Sequence, residues 1–225
     1  MANVKAIPPG GTFIDTLDKS FVDVPINKDN DNTIPTTEFL QAAESLTTLF
    51  DVMGSVAFNP VKNDMAGNIK VHCLSFYAPD IILLTIWQKL RERQLAAPTE
   101  SETLQELVIN ELKTKKHTAT EGLVWLVRGL DFTCIALSQN LAAPSDELSV
   151  SFRSAYGATL KPHHSFMVKP IFSAAMSACP YRKDFYIKLG DDNSKVEAAL
   201  RVWLSALENL ISILKGFLDR KEAKW

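Results

Sequence analysis

The chain has 225 residues, long enough for one domain with a sizeable core, and its 46% hydrophobic and 22% charged residues exclude disorder as the main state. A net charge of -2 excludes attachment to nucleic acid or strongly anionic lipid through bulk positive charge, so any membrane contact must come from a local patch or apolar surface. Three widely spaced cysteines, Cys73, Cys134 and Cys179, form no C-x-x-C pair and no metal-like spacing, which argues for a reducing, intracellular home rather than a disulfide framework.

Residues 1–35 read as an N-terminal arm with one short helix, mixing the apolar bits "FIDTL" and "SFVDVP" with the polar "NKDNDNT". The opening "MANVKAIPPGGTF" places prolines and glycines where a signal peptide needs its apolar stretch, so a cytoplasmic protein is expected. After Pro35, Thr36 is a cap candidate. Phe39, Leu40, Ala43, Leu46, Leu49 and Phe50 then repeat at the intervals of one helix face. Pro60 opens a second helix through "VKNDMAGNIK".

The run "IILLTIW" at 81–87 is far too short to span a bilayer, which needs about 20 residues. Beyond it, Thr99 with Glu102 and Thr118 with Glu121 match capping boxes, each ahead of an apolar-periodic run. "SDELSVSFRSAYGATL" and "HHSFMVKPIFSAAMSAC" read as two more helices, the second bounded by Pro162 and Pro180 and bent at Pro170. The last helix, from about Ser194 to Arg220, carries a stripe of Val196, Leu200, Trp203, Leu204, Leu207, Leu210, Ile211, Leu214, Phe217 and Leu218. No strand alternation or internal repeat is present. The fold class is therefore all-α, with seven or eight helices in one domain.

Enzyme signatures are scarce: there is no G-x-S-x-G elbow, glycine-rich phosphate loop or H-E-x-x-H. Ser212-x-x-Lys215 lies within the long amphipathic helix and reads as chance spacing. Adjacent His163 and His164 would diverge by about 100° on a helix, which suits a shared metal poorly. No metal or cofactor is expected.

Other residues carry binding chemistry. Asp64 and Asn68 are four apart, so on a helix a carboxylate and an amide share one face; they suit vicinal sugar hydroxyls, or form an ordinary solvated pair. Trp125, in "VWLVRGLDF", is either a core residue or a platform for the apolar face of a sugar ring. His164 is either an interior histidine or a ligand partner.

Together and in this order, these residues resemble the glycolipid transfer protein family. The matching strings are "FLQAAESLTTLFDVMGSVAFNPVKNDMAGNIK" at 39–70, "GLVWLVRGLDF" at 122–132, "HHSFMVKPIFSAA" at 163–175 and "CPYRKDF" at 179–185, and the whole pattern is most similar to the family's fungal heterokaryon-incompatibility C type. The resemblance implies a two-layer all-α sandwich that lifts a glycosphingolipid from a membrane, holds its sugar at the surface and sheathes its chains.

It further implies that Asp64, Asn68 and Trp125 hold the headgroup and that His164 bonds the ceramide amide. Candidates for an apolar chain pocket are Phe50, Phe58, Phe132, Leu160, Val168 and Phe172, which equally suit a plain core. Family members that carry ceramide phosphate have a cation where Trp125 stands, so Trp125 favours sugar.

One departure stands out. The family pattern places a lysine three residues after the asparagine, but here that position is Val71. On a helix Lys70 lies about 240° round from Asp64, and position 71 returns to within about 20° of it. Removing the 18 residues Val71 to Gln88 joins "GNIK" to "KLRERQLAAP" and brings Lys89 into the family position.

Those residues correspond to 54 nucleotides, the size of a small fungal intron. Every Val codon begins GT, one Gln codon ends AG, and Leu84-Thr85 can encode a branch-like CTNAC. The segment 71–88, interrupting a domain that spans 36–225, is read as a retained or mispredicted intron translated in frame; the alternative is real protein that either continues the helix or loops out between Lys70 and Lys89.

The expected protein is thus a non-enzymatic carrier of glycosphingolipid with peripheral, transient membrane contact and no nucleic-acid partner. The alternative is a glycolipid-sensing interaction protein in fungal heterokaryon incompatibility, with transfer impaired by the insert. Sugar identity, chain length and oligomeric state are not legible.

Overall fold

The apolar stripe of the last helix organises the fold. The computed structural model describes residues 5–53 and 86–225, with side chains described from 89 onward in the second stretch. Eight α-helices lie among the described residues: α1 (Thr36–Met53), α2 (Ile86–Ala96), α3 (Leu104–Lys113), α4 (Thr118–Ala142), α5 (Leu148–Ala158), α6 (Val168–Ser177), α7 (Arg182–Leu189) and α8 (Asn193–Leu218). No strand occurs among them, only two isolated bridges, Asn27 with Thr33 and Pro35 with Thr103. The helix expected from Pro60 lies outside the described residues.

Helix α8 starts where Asp192 accepts hydrogen bonds from the amides of Ser194 and Lys195 at 3.0 and 3.2 Å, satisfying donors that a helix start leaves orphaned. Its stripe from Val196 to Phe217 is buried. The N-terminal arm closes over part of this helix. Its two apolar bits form 3₁₀ turns, Phe13–Thr16 and Phe21–Asp23, rather than the single short helix expected, and both turns pack on α8. Phe21, 1% exposed, meets the Trp203 ring at a centroid distance of 5.3 Å.

Three helix starts differ from the sequence reading. Thr36 is the first residue of α1 rather than its cap; its amide donates to the Glu102 carbonyl, and its hydroxyl is buried with no partner among the described residues. Thr99 falls in a 3₁₀ turn, Pro98–Glu100, and the capping box sits four residues later, where Thr103 Oγ1 accepts from the Glu106 amide and Glu106 accepts from the Thr103 amide. Thr118 and Glu121 make no box either. The α4 amides of Ala119 and Thr120 instead donate to the carboxylate of Glu111 on α3 at 2.9 and 2.7 Å. Glu111 is 4% exposed, so a buried side chain ties two helices together in place of a local cap.

The central element is α4, which packs against α2, α3, α5 and α8. Helix α2 is also fixed to α1, through an Arg91–Glu44 ion pair at 2.7 Å and a Gln94–Thr37 hydrogen bond. Helix α6 is shorter than the sequence suggested. Residues 163–167 form the turn before it, and Pro170 falls in its first turn, where a missing N–H costs no helical hydrogen bond, so the expected bend has no cause.

Candidate functional site

Trp125 stands on α4 beside a run of fully buried neighbours, Leu123, Leu126 and Val127, yet is itself only partly buried. The chain after α5 turns back toward it. The amide of Lys161 donates to the Tyr156 carbonyl, and those of His163 and His164 both donate to the Leu160 carbonyl. The two histidines therefore sit in a tight turn, not on a helix as the sequence suggested, and both rings reach Trp125.

His164 stacks on the indole at 5.9 Å with 17° between planes, and His163 meets it edge-on at 6.3 Å. His164 is 7% exposed. Its Nδ1 shares a 3.2 Å hydrogen bond with the Tyr156 hydroxyl, and its ring packs 4.5 Å from Phe172, which in turn stacks on Tyr156 at 5.4 Å. This aromatic cluster fixes the imidazole from several sides. It leads from a partly buried indole to fully buried Phe172.

A cation joins the cluster. The Arg128 guanidinium lies 5.0 Å from the Trp125 ring centre, within cation–π range. Burial holds the Arg128 pKa below its ordinary value. Burial, followed by the charges of Arg128 and His164, likewise holds the His163 imidazole below the usual histidine range.

Among the site residues anticipated from sequence, Trp125 and His164 are brought into direct contact. Lys89 lies on α2, partly buried, next to fully buried Leu90, on a helix that packs along the one bearing Trp125. Asp64, Asn68 and Phe58 lie outside the described residues. Phe50, Phe132, Leu160, Val168 and Phe172 are all buried, at 8% exposure or less, and Phe132 meets Phe152 edge-on at 5.6 Å. They form continuous core in this state, with Phe172 the point where that core touches His164.

Three features escaped the sequence reading. Tyr156 occupies an inward position of α5, where a hydroxyl needs a polar partner, and that need was the available signal. Arg128, one turn beyond Trp125, was not singled out, because a cation at that spacing carries no signal of its contact with the indole. Phe166, Met167 and Ile171, in the His164 turn and the start of α6, are 83%, 37% and 41% exposed. Periodicity had assigned that stretch to one helix, which obscured the protruding turn.

No group of three or more metal-ligating side chains occurs among the described residues, and none of their helices is long and apolar enough to cross a membrane.

Comparison with known proteins places this arrangement in context. The sequence model described as "Glycolipid transfer protein (GLTP)" matches residues 34–79 and 83–191, and the break in the match falls within 71–88. A glycolipid transfer protein of Aureobasidium melanogenum is 64% identical over 220 residues, covering 98% of this chain and 99% of that protein. The crystal structure of HET-C2, a fungal glycolipid transfer protein, superposes with a TM-score of 0.85 at 61% identity, covering 95% of this chain and 100% of the other. The mouse pleckstrin homology domain-containing family A member 8 is 31% identical over 94% of this chain, which spans only 39% of that longer protein.

Proposed function

The chain belongs to the glycolipid transfer protein family, and from that premise we propose that it is an intracellular, non-enzymatic carrier that moves glycosphingolipids between membranes. The observation that carries this reading is the stacked Trp125–His164 pair, with the indole only partly buried and His164 packed on fully buried Phe172. An indole face suits the apolar face of a pyranose ring, and an imidazole held by Tyr156 suits the ceramide amide, which would be left unsatisfied on burial without a partner. Asp64, Asn68 and Lys89 supply the sugar's hydrogen-bond partners. The lipid chains enter by way of Phe172 and displace the packing of Phe132, Leu160 and Val168; Phe50 and, from the sequence, Phe58 are further candidates for the chain pocket.

Phe166, Met167 and Ile171 provide the membrane contact beside this entrance. Burying one such side chain in an interface contributes about 1.5–3 kcal/mol, so a few of them give the weak, reversible docking that a shuttle requires. Recognition and release need only hydrogen bonds and apolar contact, with no bond made or broken. No particular observation favours a purely sensing role in heterokaryon incompatibility.

Tryptophan emission tests the site. Vesicles of phosphatidylcholine containing galactosylceramide are expected to shift the emission of the wild-type protein, with the shift absent for vesicles lacking the glycolipid and strongly reduced in Trp125→Phe. An equal shift with and without galactosylceramide would remove the sugar from the account.

We also propose that the 18 residues Val71 to Gln88 are a translated intron. The described part of helix α2 runs from Ile86, so residues 86–88 lie on the same helix as Lys89. The 207-residue form, lacking those 18 of the 225 residues, is expected to transfer glycolipid faster. Equal rates for the two forms, or messages that all retain the 54 nucleotides of segment 71–88, would count against the proposal.

A further inference from the structure

We infer that Glu111 of α3 is a positioning residue for Trp125, fixing both the starting point and the rotation of the helix that carries the indole; this rests on the carrier reading, in which Trp125 is the headgroup platform. Glu111 is 4% exposed. Its carboxylate accepts from the Ala119 amide at 2.9 Å, the Thr120 amide at 2.7 Å and the Thr120 hydroxyl at 2.7 Å. Consecutive amides lie about 100° apart around a helix, so one carboxylate that holds both fixes α4 about its own axis. Trp125 follows within two turns of Thr120.

The carboxylate serves α4 at the expense of its own helix. Glu111 stands in the last turn of α3, where the helix dipole disfavours a negative charge, and all its donors are neutral. Burying a charge there is costly, whereas an exposed local cap would satisfy the same amides without that cost. His117, at the cap position, makes no such bond, and its ring stacks instead on Trp225 at 5.5 Å. The link between the helices supplies no other tie, because the amides of Thr114 and Lys115 donate back to the Glu111 and Leu112 carbonyls of α3. What the buried carboxylate adds over a local cap is a fixed relation between α3 and α4. A 10° turn of α4 would carry a group on its surface by roughly 1 Å. That is enough to disturb the stack of Trp125 on His164, which stands on a different element, and with it a binding geometry.

The full chain is compared with Glu111→Gln, with Trp125→Phe, with the two combined, and with Glu111→Gln carrying His117→Asp, which gives α4 a local cap. One readout needs no lipid: the indole N–H resonance of Trp125 in the ligand-free protein, assigned by its loss in Trp125→Phe. It is expected to move in Glu111→Gln and to stay displaced when His117→Asp restores the unfolding midpoint. The other readout is affinity for phosphatidylcholine vesicles containing galactosylceramide, corrected for vesicles without it and expressed per folded protein. Glu111→Gln should lower this affinity about tenfold, the size of a lost hydrogen bond to a charged group. Beside Trp125→Phe the same change should cost less than about twofold, because residues that act through one contact do not add.

An unmoved indole resonance, losses that multiply across the two substitutions, or an affinity recovered together with the midpoint in the His117→Asp protein would overturn the inference and leave Glu111 as a helix cap. Failure of the wild-type protein to bind galactosylceramide would instead sink the carrier reading alone, since the indole resonance still reports whether Glu111 holds Trp125 in place.

Discussion

Trp125 and Trp203 are both indoles in long apolar helices, and their surroundings differ. Trp203 is 1% exposed, packed on Phe21, and its Nε1–H is buried with no acceptor among the described residues. Trp125 is only partly buried and is bordered by His163, His164 and Arg128, all of which carry nitrogen. A core indole such as Trp203 packs on apolar side chains, whereas this second indole is bordered by hydrogen-bonding groups. On the carrier reading, the comparison separates residues that hold the protein together from residues proposed to hold a ligand.

Substitutions should follow that separation. The largest effect on stability is expected for Trp203→Ala, a loss of about 3–5 kcal/mol in denaturant unfolding with the selectivity among lipids unchanged in the folded fraction. Trp125→Ala should lower galactosylceramide transfer about 100-fold, or about 2.7 kcal/mol, while the unfolding midpoint moves little. If Trp125→Ala instead unfolded the protein as readily as Trp203→Ala, the two indoles would be equivalent and the distinction would collapse.

Smaller changes sharpen it. Phe166→Ser removes an 83% exposed side chain, so stability should hold while vesicle affinity drops about tenfold, a little less than the full burial of a Phe is worth. Tyr156→Phe deletes the hydroxyl that bonds His164, at a cost of about 1 kcal/mol and a severalfold loss in glycolipid affinity. A Tyr156→Phe protein less stable but unchanged in affinity would mean that this hydrogen bond serves packing only.

Much of the fold could be read from periodicity. The α8 stripe and the inward face of α1 are buried as their spacing requires, because a stripe at 3.6-residue intervals places its apolar side chains on one face that packs against the core. Helix starts were less legible. The α4 amides are capped by Glu111, seven residues before the helix begins, and no local pattern announces a cap supplied by a neighbouring helix.

The His163–His164 turn was misread for a related reason: "HHSFMVKPIF" is apolar enough to continue a helix, but the Leu160 carbonyl accepts from both histidine amides and closes a turn instead. Trp125 and His164 could be named from the family resemblance. Their contact, and the part played in it by Tyr156 and Arg128, depends on how α5 and its following turn fold back on α4, which is a tertiary fact.

The most direct test of the central claim is intermembrane transfer of a fluorescent galactosylceramide by the purified 225-residue chain, with donor and acceptor phosphatidylcholine vesicles, run alongside Trp125→Ala. The account predicts wild-type transfer well above the spontaneous rate and a Trp125→Ala rate close to that background. Wild-type transfer no faster than the vesicles alone, or a Trp125→Ala rate equal to wild type, would contradict it.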